Sequence, residues 1–200
     1  MRLALKDPGK AVRVIVELLR GRWYKLWLPL RGIRFSAGRN FRVSGSLAVR
    51  GPGRIVFGDD VTIGMRVTPW TYAAEATIDV GSRVFLNGTR FGCLQRIEIG
   101  SDCILGESHV FDTNFHSTSA DRHDPTAPVR TAPVTLGANV WVGAQAGLLP
   151  GTSVGENSVV GFGAVLSGTY PANVILAGNP ARAVGEVTPG RTGRSPSGGR

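Results

Sequence analysis

Broken every six residues, positions 136–171 read LGANVW VGAQAG LLPGTS VGENSV VGFGAV LSGTYP. Leu136, Val142, Leu148, Val154, Val160 and Leu166 hold one phase throughout, and a glycine or serine follows all but Leu148. A period of six is neither the 3.6 of an α-helix nor the two of a plain strand. It fits a triangular coil in which each hexad supplies one short flat strand and one corner, so that three hexads complete a circuit. The aliphatic residue points into the prism and the small residue after it lets the backbone turn. Successive circuits then hydrogen-bond as parallel strands about 4.8 Å apart, burying a continuous aliphatic ladder. The predicted fold is an all-β solenoid, a parallel β-helix of hexapeptide repeats.

The same beat recurs upstream at Phe57, Ile63, Val80, Ile99 and Leu105, which predicts one solenoid domain over residues 51–187. Two stretches break it, Gly64–Ile78 and Asp112–Thr135. A filled prism has no room for extra residues, so both are expected to project as loops, the usual place for function. The 28 glycines in 200 residues suit a chain made of corners, and 42% hydrophobic residues suffice for one core. The open ends of such a coil need covering.

The net charge of +9 has the sign of a nucleic-acid binder, but it is not spread along the chain. Residues 1–50 hold twelve Lys/Arg against Asp7 and Glu17, whereas residues 51–200 hold eleven against twelve acids. The body is neutral and the first quarter is a basic arm, so no nucleic-acid partner is expected. Within the arm, Val12, Ile15, Val16, Leu19, Trp23, Leu26, Trp27 and Leu30 form a helical stripe, which Pro29 and Arg31-Gly32 should end. Such a stripe caps the coil by packing on it, or lies in a membrane interface with Lys10, Arg13, Arg20, Arg22 and Lys25 beside it. Both can hold at once. Residues 188–200, rich in Gly, Pro and Ser, read as a disordered tail. Cys93 and Cys103 lack metal-ligand spacing and are expected as small buried hydrophobes in a reducing cytosol. With neither a long apolar run nor a leader pattern, the expected location is cytoplasmic, with peripheral contact at the inner membrane face.

Three stretches resemble the hexapeptide-repeat acyltransferases, in particular the galactoside, maltose and exopolysaccharide O-acetyltransferases. They are Asp112-Thr-Asn-Phe-His116-Ser, Arg130-Thr-Ala-Pro-Val-Thr-Leu-Gly-Ala-Asn-Val-Trp-Val-Gly-Ala144, and Pro171-Ala-Asn-Val-Ile-Leu-Ala-Gly-Asn-Pro-Ala-Arg182. The resemblance implies a left-handed coil, a homotrimer, acetyl-CoA as acyl donor and a saccharide hydroxyl as acceptor, in exopolysaccharide or cell-surface glycan biosynthesis. It implies His116 as general base, with Asp112 or Asn114 holding its tautomer and Asn87 near the reacting hydroxyl. Acetyl-CoA contacts carry over to Ala144, Phe162, Ser167 and Gly168, with Trp141 and Gly143 beside them and Arg182 near the nucleotide phosphates. Family members usually have Thr-Lys where this chain has Ser167-Gly168, so a phosphate-binding lysine is missing.

The chemistry agrees with that assignment. Moving an acyl group from a thioester to a hydroxyl needs a base of near-neutral pKa, and imidazole is one. The alternatives are a soluble acetyltransferase for a small acceptor such as an antibiotic, sugar or amino acid, and a non-catalytic or metal-binding coil. His109 and His123 could serve the metal reading, but their spacing does not match the three-histidine sites built on such coils, and no metal is expected. Asp59, Asp60 and Asp102 fall at turn positions and read as solvated corners.

Overall fold

The computed structural model describes residues 8–188. One helix, Pro8–Leu30, precedes a solenoid of short strands in three sheets, of seven, eight and five strands, all parallel except for the closing strand Ala181–Glu186. The first face stacks strands such as Arg54–Phe57, Thr77–Val80 and Arg96–Ile99, the second Thr62–Ile63, Phe85–Leu86 and Ile104–Leu105, the third Arg90–Cys93, His109–Phe111 and Gly147–Leu148. Registers are continuous: on the second face Val43, Ile63, Leu86, Leu105, Val142, Val160 and Leu176 lie one above another, all buried. Every aliphatic position of the six-residue beat points into this core.

One corner shows why the sequence turns there. Asn40, Asp60, Arg83, Asp102, Asn139, Asn157 and Asn173 occur once per circuit, all with φ between 53° and 64°. The left-handed conformation costs a Cβ-bearing residue least when it is Asn or Asp. Their side chains also pair along the corner: Asn139 donates to Asn157 at 3.0 Å, Asn157 to Asn173 at 3.2 Å, and Arg83 grips Asp102 at 2.6 Å. Asp60 and Asp102 are thus corner residues, as read from the sequence. Asp59 sits one residue before the turn and accepts from Arg39.

Two boundaries differ from expectation. The solenoid begins at Phe35, not near residue 51, because Phe35–Ala37 pairs with Ile55–Phe57 and Arg42–Val43 with Thr62–Ile63. Gly64–Ile78 is not a projecting insert: Thr68–Thr71 is the first strand of the third face, paired with Arg90–Cys93. Its inward positions are Pro69 and Thr71 rather than large aliphatics, which hides the beat. The second interruption does project. Its legs join at a Thr113–Thr131 bridge, and Ala132 N donates to Asp112 O at 2.9 Å. The tail predicted over 188–200 lies outside the described residues apart from Thr188.

The helix caps the first circuit, but with the face opposite to the expected stripe. Glu17, Gly21 and Leu28 are buried and Tyr24 packs on the core. Ser44 Oγ donates to Glu17 at 2.7 Å, Lys25 Nζ to Gly38 O at 2.8 Å, and Arg20 to the Ser44 and Gly45 carbonyls. A Cβ on Gly21 would lie 2.0 Å from Phe41 O, so a side chain there would lift the helix off the coil. The eight predicted stripe residues remain exposed.

Candidate active site

The site is assembled where the third face ends and the loop leaves it. After the strand His109–Phe111 the chain reaches Asp112, whose carboxylate is wholly buried. Oδ1 accepts from Leu94 N and Oδ2 from Gln95 N and Arg96 N, each at 2.7 Å, and the Cys93 thiol points at Oδ2 from 3.3 Å. Burial first, then the charge of Asp112, pushes the Cys93 thiol well above its ordinary pKa. Asp112 therefore ties the base of the loop to the circuit before it and does not hold the His116 ring, which was one of its expected tasks. Both cysteines are buried and free, as expected of small hydrophobes.

Beyond Asp112 the backbone makes a tight reversal. His116 N donates to Asn114 O at 2.7 Å across Phe115, whose φ of 63° is a strained value for an aromatic residue. The reversal lifts His116 into solvent, while the Phe115 ring packs edge-on against Phe111 at 5.4 Å and Tyr72 at 5.0 Å. Gly92 makes room for it: a Cβ there would lie 2.6 Å from the Phe115 ring. A cleft of about 720 Å³ opens beside the imidazole, walled by Phe111, Thr113, Phe115, Ser117 and Leu149. A smaller hollow of about 200 Å³ shares Phe111 and Phe115 and adds Trp70, Tyr72 and Arg90. Thr113, Phe115 and Ser117 fall within the motif read around His116, whereas Trp70, Tyr72, Arg90, Phe111 and Leu149 were not singled out from the sequence. The signal was present in the outward positions of the third face, where aromatics take the place of polar residues. No side chain among the described residues bonds to the His116 ring, and Asn114 stands exposed beside it.

The other expected site residues divide between two edges. Asn87, Trp141, Gly143, Ala144 and Phe162 line the edge between the second and third faces. Gly163 N bonds Ala144 O at 3.0 Å, Phe162 is 76% exposed, and Asn87 Oδ1 accepts from Met65 N at 3.0 Å. Arg182 pairs with Ala177 beyond Gly161 on the second face, exposed and near this edge. Ser167 and Gly168 lie on the other edge, above Leu149 and on the side of His116, because Gly147–Leu148 and Val165–Leu166 are in register. Gly168 has φ +113°, so a lysine at that position would be strained. Ala144 and Leu149 are five residues apart along the third face, about 15 Å at strand spacing. Within one chain the Asn87–Ala144–Phe162 edge and His116 do not meet. His109 lies on the outward side of the third face against Phe111, and His123 lies exposed in the loop. Among the described residues no three His, Cys, Asp or Glu side chains gather as a metal site.

Known proteins share this architecture. The family "Bacterial transferase hexapeptide (six repeats)" matches residues 133–168. The chain is 29% identical over 148 residues to WbbJ of Escherichia coli K12, provisionally named a lipopolysaccharide biosynthesis O-acetyl transferase; the match covers 68% of this chain and 74% of WbbJ. It is 42% identical over 91 residues to the galactoside O-acetyltransferase of Escherichia coli K12, covering 46% of this chain and 44% of that enzyme, less than half of either. Among solved structures, AntD, an N-acyltransferase from Bacillus cereus, superposes with a TM-score of 0.65 at 20% identity, over 81% of this chain and 88% of AntD. The acetyltransferase VCA0836 of Vibrio cholerae gives 0.56 at 19%, over 88% and 93%. At such identities the structures speak to the fold alone. Residues 133–168 carry the hexapeptide repeat of bacterial transferases. The chain is an acyltransferase.

Proposed function

We propose that the protein is an O-acetyltransferase that moves an acetyl group from acetyl-CoA to a hydroxyl of a saccharide, in the making of an exopolysaccharide or cell-surface glycan. The observation that carries this reading is His116, raised on the Phe115 reversal beside an aromatic-walled cleft. Aromatic rings suit the apolar C–H face of a sugar ring, and the hollow of about 200 Å³ beside Tyr72 and Phe115 is of monosaccharide size. The names of WbbJ and the galactoside O-acetyltransferase support the same acceptor class.

In the proposed step the His116 imidazole takes the acceptor hydroxyl proton as the hydroxyl oxygen attacks the thioester carbonyl. The tetrahedral intermediate collapses, the carbon–sulfur bond breaks, and the imidazolium returns its proton to the departing CoA thiolate. Backbone N–H groups or the Asn87 amide steady the oxyanion. The pantetheine runs along the Gly143–Ala144–Phe162 edge of one chain, with Trp141 beside it, Ser167 and Gly168 on the facing edge of the neighbour and Arg182 toward the phosphates. Because that edge and His116 lie on opposite sides of one face, the working site joins the edge of one chain to the loop of a neighbour in a homotrimer. The acceptor is met on the cytoplasmic side of the inner membrane.

The test is CoA release from acetyl-CoA over a panel of saccharide acceptors, with His116→Ala beside the parent. A general base contributes about 10²–10⁴-fold, so the variant is expected to lose that factor in kcat with its melting temperature unchanged. A variant of full rate removes the base assignment, and release with small amine acceptors alone removes the saccharide.

A further inference from the structure

The Pro8–Leu30 helix has two apolar faces, and only one is used. At 100° per residue, Val14, Glu17, Leu18, Gly21, Tyr24 and Leu28 share the side turned to the coil. Val12, Ile15, Val16, Leu19, Trp23, Leu26, Trp27 and Leu30 share the opposite side, and every one is between 42% and 80% exposed. The strip is roughly 27 Å long at helical rise. Trp23 and Trp27 stack on it with ring centroids 5.4 Å apart. Eight large apolar side chains along one strip is far more than the scattered exposure of an ordinary surface.

Charge says what covers it. The strip carries no acidic residue, and the helix's single described acid, Glu17, is buried under it against Ser44. Cations lie along both seams between the two faces: Arg13 and Arg20 on one side, Arg22 and Lys25 on the other, with Arg31 past the end beside Trp27. On the Arg22 side a cavity of about 530 Å³ separates the helix from the first circuit. Arg22 and Lys25 rim it over Leu18, Leu26 and Phe41, beside an Arg39 already paired with Asp59, a layout that offers cations to a phosphate and an apolar floor to what is attached to it. No helix among the described residues is long and apolar enough to cross a membrane. A second copy laid on the strip would bring the same two rows of cations together, whereas an anionic lipid surface neutralises them.

We propose that this helix docks the protein on an anionic membrane surface, lying in the plane of the interface with Leu19, Trp23, Leu26 and Trp27 among the acyl chains and lipid phosphates at the Arg22–Lys25 cavity. Tryptophan is favoured at that depth, and long basic side chains reach from it to the headgroups. The capping face holds the solenoid on the aqueous side, so the first circuit is the end nearest the lipid.

The experiment is flotation of the full chain with vesicles of phosphatidylcholine and, separately, of phosphatidylcholine mixed with phosphatidylglycerol. The protein is expected to float with the mixed vesicles at least tenfold better than with phosphatidylcholine alone, and less as salt is raised. Leu19→Gln, Trp23→Gln, Leu26→Gln and Trp27→Gln combined should lower the bound fraction tenfold or more without moving the melting temperature, because the capping face is untouched. Arg22→Gln with Arg31→Gln should weaken binding to the mixed vesicles only. A parent that stays unbound to both vesicles, or a fourfold variant that floats like the parent, overturns the proposal. So does a fourfold variant that merely changes oligomeric state, which would make the strip a contact between copies. Flotation reads binding without acetyl transfer, so its failure leaves the acyltransferase reading as it stands.

Discussion

Asp112 and His116 are four residues apart and do different work. The acid faces inward, where it satisfies three backbone N–H groups of the preceding circuit, and the imidazole faces outward on a strained reversal. Asp112→Ala would take the shared acceptor from those three part-buried donors, at a cost of about 1–3 kcal/mol. Urea unfolding should show that loss of stability together with lost activity, whereas His116→Ala should lose activity alone. An Asp112→Ala protein as stable as the parent would mean that water or the loop replaces the carboxylate. The place of His116 on a projecting loop was legible from the break in the six-residue beat around it. The task of Asp112 was not, since a carboxylate four residues before an imidazole reads the same in sequence whether it points up or down. Its direction is decided by the Leu94–Arg96 amides, seventeen residues distant in sequence and one circuit away in space.

At the scale of elements, the coil is a stack of corners, and exposed ion pairs bind successive circuits. Arg39 holds Asp59, and Arg83 holds Asp102, by side-chain hydrogen bonds that keep both carboxyls below the usual carboxylate range. A lowered folded pKa gives stability that is present above the ordinary value of about 4 and is lost as pH falls through the lowered one. Melting temperatures of the parent and of Asp59→Asn with Asp102→Asn should therefore differ slightly at neutral pH and converge in acid, the difference being small because the pairs are exposed. A gap that persists at the lowest pH would place the effect in packing. The six-residue beat made the strands from Leu136 to Leu166 legible to the residue. It failed at Thr68–Thr71, where Pro and Thr fill inward positions, and at Phe35–Val43, where basic residues around a short strand read as part of the arm. The helix was visible as a stripe, but the stripe is the face left free. A capping face of Gly21, Tyr24 and Glu17 is chosen by fit to Phe41, Leu47 and Ser44, and hydrophobicity alone does not report fit.

For the molecule as a whole, the proposed activity depends on two edges that one chain cannot bring together. Asn87, Ala144 and Phe162 stand on one side of the third face and His116 on the other, so a closed ring of identical chains would set each loop against a neighbour's edge. Nothing in a single sequence states that closure directly, because the residues that meet belong to different copies. Mixing subunits tests it. His116→Ala and Asn87→Ala proteins are each expected to be slow, yet when they are unfolded together and reassembled, one class of crevice pairs an intact His116 loop with an intact Asn87 edge. If three chains assemble at random from equal parts, about a quarter of crevices are of that kind. The account predicts that CoA release by the mixture rises to about that share of the parent rate, well above either variant alone. A mixture no faster than the average of the two variants would show that acetyl transfer is completed within one chain, and would contradict it.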